Sequence, residues 1–582
     1  MKKKSILKPY IIKHKWQYIF GVITLFVVDF ANLYVPELTG QITDGLESGT
    51  MAMDSIRLLI IKILILGLII AIGRFLWRYF IFGGSRAIEY ELRNDLFKHL
   101  EGLSANFFNN NKTGDLMAHF TNDFNAVRMA LGPAVITTFD ATILTTMVIF
   151  KMVTHVNLQL TIVAVIPMLV ILLGGIFFGK EIEKRFKEKQ EAFSYLTDEV
   201  QESISGIRVL KAFVQEEKDI EKFSNSNLAN MKKNIRVVRL TALVLPLIDV
   251  IIGVSIVVTI LFGGSLAINN KITIGEFVAF TQYIFMLVWP MIAVGESINL
   301  FSQGFASLKR IEKILDVKAE IYDENVDTNV ESLEGNIEFR NLDFTYKNDL
   351  PNSLTNISFK VKKGQTLAIV GPTGSGKSTI ASLLVRLYNT EAGTILLDNR
   401  DIREIPLKLL RENIAYVPQE SFMFSDTIAN NIAFGSNSKD LDRIKKAAKE
   451  ASVHSNIMDF PLGYETVVGE RGVTLSGGQK QRCSIARALM MDAPILILDD
   501  SLSAVDTDTE EIILSNLKQN RQGKTTIIIA HRISTIQNAD LIIVMDEGKI
   551  KECGNHDELL EQKGIYWNIY KRQQLEKQIR AN

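Results

Sequence analysis

Six long apolar runs crowd the first half of the chain: Tyr18–Leu38, Leu58–Phe82, Pro133–Phe150, Leu158–Phe178, Leu243–Leu266 and Phe277–Val294. A helix needs roughly 20 mostly apolar residues to cross a bilayer, so each run is predicted to span one. The first run ends without a small-residue cleavage pattern and reads as an anchor, not a cleaved leader. Charged residues recur at helical spacing through Gly83–Leu103 and Phe177–Val200, continuing the second and fourth runs. Long helices are therefore expected well below the membrane, with tips near Asn109–His119 and Val209–Phe223 that could dock on a soluble domain. Pro167, Pro246 and Pro290 lie inside runs and predict kinks.

From Lys318 to Gly335 the chain turns polar and acidic, a solvated linker. Alternating patterns then predict strands at Asn336–Tyr346, Ser353–Val361 and Gln365–Val370. The expected division is a membrane domain over 1–317, a linker over 318–335 and a second domain over 336–582.

Charge sets the orientation. The segments before the first run, between the second and third, and between the fourth and fifth hold 24 lysines and arginines. The alternate connections hold three, so both termini are expected in the cytoplasm of a multi-pass protein in the cytoplasmic membrane. A formal net charge of zero argues against a nucleic-acid partner. Cys483 and Cys553 lack metal-ligand spacing and read as buried, inert thiols. Asp29, Asp140, Asp249 and Glu296 sit in or at the edges of apolar runs. A carboxylate at membrane depth marks a cavity, a partner or a transport path, and favours cationic cargo, unless it only bonds between helices or ends a span. Trp289 beside Pro290 suits either a drug pocket or an interfacial anchor.

Directly after the third predicted strand stands G-P-T-G-S-G-K-S-T, Gly371 to Thr379. This is a phosphate loop in its strand-loop-helix setting. Glycines such as Gly371, Gly374 and Gly376 let the backbone bend, so that the N–H groups around Thr373 and Ser375 face phosphate at a helix start. Lys377 is expected against the β- and γ-phosphates of ATP, and the Ser378 hydroxyl on Mg²⁺. About 120 residues on, I-L-I-L-D-D reads as a buried parallel strand presenting Asp499 and Asp500 at its carboxyl end. Asp499 is placed for Mg²⁺ and Asp500 for the attacking water. L-S-G-G-Q, Leu475, Ser476, Gly477, Gly478 and Gln479, opens a basic helix. It is a second anion-binding surface or an ordinary serine cap.

Taken together, these motifs resemble the ATP-binding cassette exporters along nearly the whole chain. That resemblance implies a six-helix membrane domain with long cytoplasmic extensions fused to an α/β P-loop ATPase domain. It assigns Tyr346 to adenine stacking, Gln419 to a loop that senses Mg²⁺, and His531 to the γ-phosphate. It likens Val468–Gly472 to an exporter loop acting through Glu470, Ser503–Asp506 to a loop crossing a dimer interface, and Asn111–Asp123 to the first coupling helix. It also implies two chains closing head-to-tail around two ATP molecules, each between one chain's phosphate loop and the other's signature. Where the family usually has glutamate after the magnesium aspartate, this chain has Asp500, whose carboxylate falls on the order of 1 Å short. An impaired acid beside an intact signature resembles one partner of the heterodimeric bacterial multidrug exporters. Amphiphilic or hydrophobic drugs, some cationic, are the expected cargo, with a second half-transporter and the lipid bilayer as partners. A homodimeric exporter of lipid, peptide or iron chelate, or a nucleotide-gated regulator, stays open. A soluble DNA-repair ATPase does not fit six spans.

Overall fold

The computed structural model describes residues 6–49, 51–324, 326–346, 353–436, 438–469 and 475–581. The chain folds into two compact units, one formed by Met1–Glu101 and Lys112–Val317, the other by Gly102–Asn111 and Lys318–Asn582.

In the first unit every predicted run lies within a long helical stretch. These are α1 Lys15–Glu47, α2 Met53–Glu101, α3 Thr113–His155, α4 Leu158–Ser205, α5 Glu216–Ile268 and α6 Ile274–Leu315. Two starts show why the helices begin where they do. Asn157 Oδ1 accepts from the Leu160 N–H at 3.1 Å, and Thr273 with Glu276 forms a capping box. Helices α4, α5 and α6 run on through Pro167, Pro246 and Pro290, and α1 runs through Pro36, which the apolar pattern does not single out. Three stretches widen into π-helix: His119–Asp123, Asp140–Leu144 and Thr259–Gly263. The core packs Leu33, Met152, Leu160, Phe280, Tyr283 and Leu287 together. The Tyr283 hydroxyl donates to the Leu33 carbonyl at 3.0 Å, so a polar group away from water is satisfied inside the bundle.

The second unit is built on two sheets. A four-stranded antiparallel sheet has the order β2-β1-β4-β5, from β1 Ile337–Phe344, β2 Leu354–Val361, β4 Ile395–Leu397 and β5 Arg400–Asp401. A six-stranded sheet has the order β10-β9-β3-β8-β7-β6, from β3 Thr366–Val370, β6 Ile414–Val417, β7 Ile495–Asp499, β8 Thr525–Ile529, β9 Leu541–Asp546 and β10 Lys549–Gly554. Only the β9–β10 pair of this sheet is antiparallel. β7 and β8 are buried at all five positions, which explains their unbroken apolar runs. Helices α7 Lys377–Leu384, α8 Gly477–Met490, α9 Thr507–Asn520 and α10 Ile565–Ala581 join this unit.

Two expectations change. The segment 318–335 is docked and not merely solvated. Glu320 accepts from Ser104 at 2.8 Å, Asp323 from the Leu407 N–H at 2.9 Å, and Asp327 pairs with Arg400 at 2.5 Å. Its acidic residues have partners to meet, which composition could not reveal. Cys483 is buried, and burial pushes its thiol up to about 12, but Cys553 is exposed on the edge strand β10.

Candidate functional site

The carboxyl ends of β3, β7 and β8 gather the predicted chemistry, as expected where β3 lies between strands that lead away to either side. After β3 the chain turns into α7 through Gly376, whose φ of +95° lies in the left-handed region. A Cβ there would stand 2.6 Å from Leu354 Cδ2 and 2.8 Å from the Ser353 carbonyl, so only glycine fits. Lys377 is only 6% exposed, and its ammonium donates to the carbonyls of Gly371 and Pro372 at 2.9 and 2.7 Å. Burial holds its pKa below the usual lysine range, against the pull of the Asp500 and Asp499 charges. The Ser375 hydroxyl is buried and has no hydrogen-bond partner among the described residues. A buried polar atom left open in a glycine-turned loop fits an arriving phosphate.

The Ser378 hydroxyl donates to Asp499 Oδ1 at 2.9 Å, and Tyr416 donates to Asp499 Oδ2 at 3.4 Å. Burial raises the Asp499 pKa, and these two hydrogen bonds oppose the rise. Adjacent hydroxyl and carboxylate oxygens suit a hard cation such as Mg²⁺, which binds through one or two protein oxygens plus phosphate. Among the described residues no cluster of three or more His, Cys, Asp or Glu could hold a metal.

Asp500 has a left-handed backbone with φ +46°. Its N–H donates to the Ile529 carbonyl at 2.9 Å, and its carbonyl accepts from the Ser503 hydroxyl at 2.8 Å. Asp500 and His531 line one cavity of about 100 Å³. Tyr346 lies 2.9 Å from the Thr379 hydroxyl, and its ring meets Tyr388 edge-on at 5.0 Å. Gln419 is exposed just beyond β6.

The signature forms a second group. Ser476 caps α8 in a capping box, accepting from the Gln479 N–H at 3.3 Å while Gln479 Oε1 accepts from the Ser476 N–H at 2.9 Å. Leu475 is buried, whereas Ser476 and Gly477 are exposed. A Cβ on Gly478 would stand 2.8 Å from the Ala504 carbonyl. Gln481, which no motif flagged, accepts from the Ala504 N–H at 2.9 Å and donates to Ser503 at 3.2 Å. Among the described residues no hydrogen bond or ion pair joins Leu475–Gln479 to Gly371–Thr379. Glu470 lies outside the described residues.

Gly102–Asn111, which includes only the start of the expected first tip, belongs to this unit, while Lys112–His119 falls in the first. Its helix, Ala105–Asn110, starts four residues before the expected tip, and Asn109 donates to the Tyr388 hydroxyl at 2.8 Å. Tyr388 therefore touches both the tip and Tyr346. Tyr388 could have been found only from its placement, since a tyrosine outside a motif carries no signal of its own, whereas Tyr416 stands three residues before Gln419 in Y-V-P-Q-E and was not assigned a role.

In the membrane unit Asp29 is 5% exposed, and among the described residues its Oδ2 has no hydrogen-bond partner. Asp140, half-buried at the start of a π-helical stretch, and Arg74 lie within electrostatic reach of it. Asp249, Trp289 and Glu296 are exposed on the single chain.

Comparison with known proteins shows which family and fold the chain is similar to. The family described as ABC transporter transmembrane region matches residues 18–291, and the family described as ABC transporter matches residues 354–503. The "Probable multidrug resistance ABC transporter ATP-binding/permease protein YheI" of Bacillus subtilis (strain 168) is 40% identical, with 98% of each chain covered. The "Multidrug resistance-like ATP-binding protein MdlA" of Escherichia coli (strain K12) is 38% identical over 97% of this chain and 95% of its own. An "ATP-dependent lipid A-core flippase" of Desulfotalea psychrophila is 36% identical over 95% of this chain and 97% of its own. The solved structure of a bacterial Atm1-family ABC exporter with ATP bound superposes with a TM-score of 0.77 at 27% identity, covering 98% of this chain and 99% of the other.

Proposed function

The chain belongs to the ABC transporter family, with the membrane and ATP-binding parts of an exporter, and from that premise we propose that it is one half of a heterodimeric multidrug pump. In this reading 1–317 crosses the cytoplasmic membrane with both termini inside, 318–335 links, and 336–582 binds ATP. The backbone of Gly371–Thr379 and the Lys377 ammonium hold the phosphates, and Tyr346 stacks on adenine. Ser378 and Asp499, with Gln419 nearby, hold Mg²⁺, which neutralises charge on the phosphate oxygens. Asp500 orients and deprotonates water, and His531 contacts the γ-phosphate. Leu475–Gln479 completes the site on the partner.

The observation that carries the asymmetric reading is Asp500. The phosphate loop and the signature keep the family pattern in the sequence, while the acid after Asp499 is one methylene shorter than the family's usual glutamate. The second tip supports a second chain. Its helix Ile207–Ala212 is followed by Phe213 and Val214, 71% and 80% exposed, and an apolar tip so bare suits a surface on another copy or partner. The relatives named for multidrug resistance favour amphiphilic cargo. The flippase relative favours the second reading, a homodimer that moves lipid. Native mass spectrometry of the tagged chain extracted from its host's membranes separates the two. One copy with a different, similarly sized chain is expected, and two identical copies with ATPase activity would sink the asymmetric reading.

Asp29 and Asp140 make the best cargo-facing pair, because an unpaired buried carboxylate is retained in a membrane only at considerable cost. Asp29→Asn is expected to cut ATP-dependent uptake of a quaternary-ammonium dye into inverted vesicles about tenfold, the scale of one lost charge interaction. Uptake of a neutral amphiphile should change little. Equal loss of both would remove Asp29 from cargo recognition.

A further inference from the structure

The loop that bears His531 is held from two sides by residues outside every motif. Among the described residues the His531 side chain makes no hydrogen bond, so its aim depends on the backbone that carries it. From one side comes Gln573, in the C-terminal helix α10. Its Nε2 donates to the His531 carbonyl at 2.7 Å, and its Oε1 accepts from the Ile533 N–H at 2.8 Å. One side-chain amide thus bridges the peptides on either side of Arg532. It also satisfies a free N–H in the first turn of the short helix Ile533–Ile536, whose N-cap Arg532 makes no side-chain cap.

From the other side comes Glu510, buried in the first turn of α9. It accepts from Arg532 Nη1 at 2.7 Å and bonds the Thr535 hydroxyl. The same Arg532 nitrogen donates to the Val505 carbonyl at 3.2 Å, within the segment Ser503–Asp506. Helix α10 is itself well anchored. Glu552 accepts from the N–H groups of Ile565 and Tyr566, and the fully buried Tyr566 lies 2.7 Å from His556 Nδ1. Gln573 follows Tyr566 by two helical turns and so shares its face.

We infer that Gln573 is a positioning residue for His531, and that α10 sets the aim of the imidazole by clamping the backbone around it. Arg532, held by Glu510, joins the same loop to Ser503–Asp506 through the Val505 carbonyl, so the clamp holds both segments that border Asp500. The physical basis is preorganisation: an exposed imidazole on an unclamped loop samples many directions, and one on a doubly bonded loop samples few. The inference rests on the assignment of His531 to the γ-phosphate.

The test uses the full complex, purified through this chain and reconstituted in lipid nanodiscs. Azido-ATP with Mg²⁺ is loaded, chased with unlabelled ATP, and photo-crosslinked at intervals to follow retention on this chain. Gln573→Met keeps side-chain length and helix propensity but removes both bonds. It is expected to shorten retention about 3- to 10-fold, the scale of lost hydrogen bonds, with initial loading unchanged. In a His531→Ala background Gln573→Met should add nothing, because residues acting through one group are not additive. Gln573→Glu should behave like Gln573→Met, since a carboxylate oxygen then faces the His531 carbonyl. Unchanged retention in both Gln573 variants, or an equal further loss in the His531→Ala background, would overturn the inference. If His531→Ala alone leaves retention unchanged, the γ-phosphate assignment fails first and the clamp loses its role with it.

Discussion

Complexes carrying Asp500→Glu are expected to hydrolyse ATP at this chain's own site up to about 100-fold faster, because a displacement on the order of 1 Å at a reacting group can change a rate by that factor. The added methylene is the only route to the missing length. The Asp500 backbone is pinned through its N–H to Ile529 and through its carbonyl to Ser503, in a left-handed conformation that leaves little room to slide toward a phosphate. The glutamate would extend into the cavity that Asp500 shares with His531, so the change acts where the attacking water is expected. Single-turnover hydrolysis of labelled ATP held on this chain checks it. Little gain would mean that side-chain reach is not what limits this site.

Lys377→Ala should weaken ATP binding at the same site by on the order of 100-fold, with loading of the partner's site as the internal control. A charge-assisted hydrogen bond contributes about 1.5–3 kcal/mol, and each 1.4 kcal/mol is about tenfold in affinity. The loss here should fall toward the upper end. The ammonium is buried, so little water can replace it, and its removal leaves Asp499 and Asp500 facing phosphate without the cation that balances them. Azido-ATP labelling of this chain across a concentration series reads the shift directly. Unchanged affinity would end the assignment of Gly371–Thr379 to phosphate.

The long helices of the first unit, five of them apolar enough among the described residues to cross a membrane, were legible because a helix in hydrocarbon must hide its backbone, which demands a long apolar run. Their ends were less so. The pattern places the first tip near Asn109–His119, yet the tip helix occupies Ala105–Asn110, because the preceding helix ends at Glu101 and Ser104 takes an extended conformation. Nothing apolar marks such a boundary in a charged, amphipathic stretch. The four acids at membrane depth were indistinguishable as letters. Only packing separates Asp29, buried with an oxygen that has no partner among the described residues, from Asp249 and Glu296 on the surface.

The nucleotide site divides in the same way. The phosphate loop, the acid strand and the signature were readable because each is a contiguous segment whose local chemistry demands particular residues: glycine where φ is positive, a serine where a helix needs a cap. The groups that hold those segments together were not. Tyr388 reaches from the first tip to Tyr346, Gln481 ties the signature helix to Ser503 and Ala504, and Gln573 crosses 42 residues of sequence to the His531 carbonyl. The sequence by itself therefore determined the fold class and the segments proposed to touch ATP, since local periodicity and backbone demands are written in neighbouring letters. Only the tertiary structure decided which distant side chains steady them, because a hydrogen bond between remote segments leaves no periodic trace in the chain.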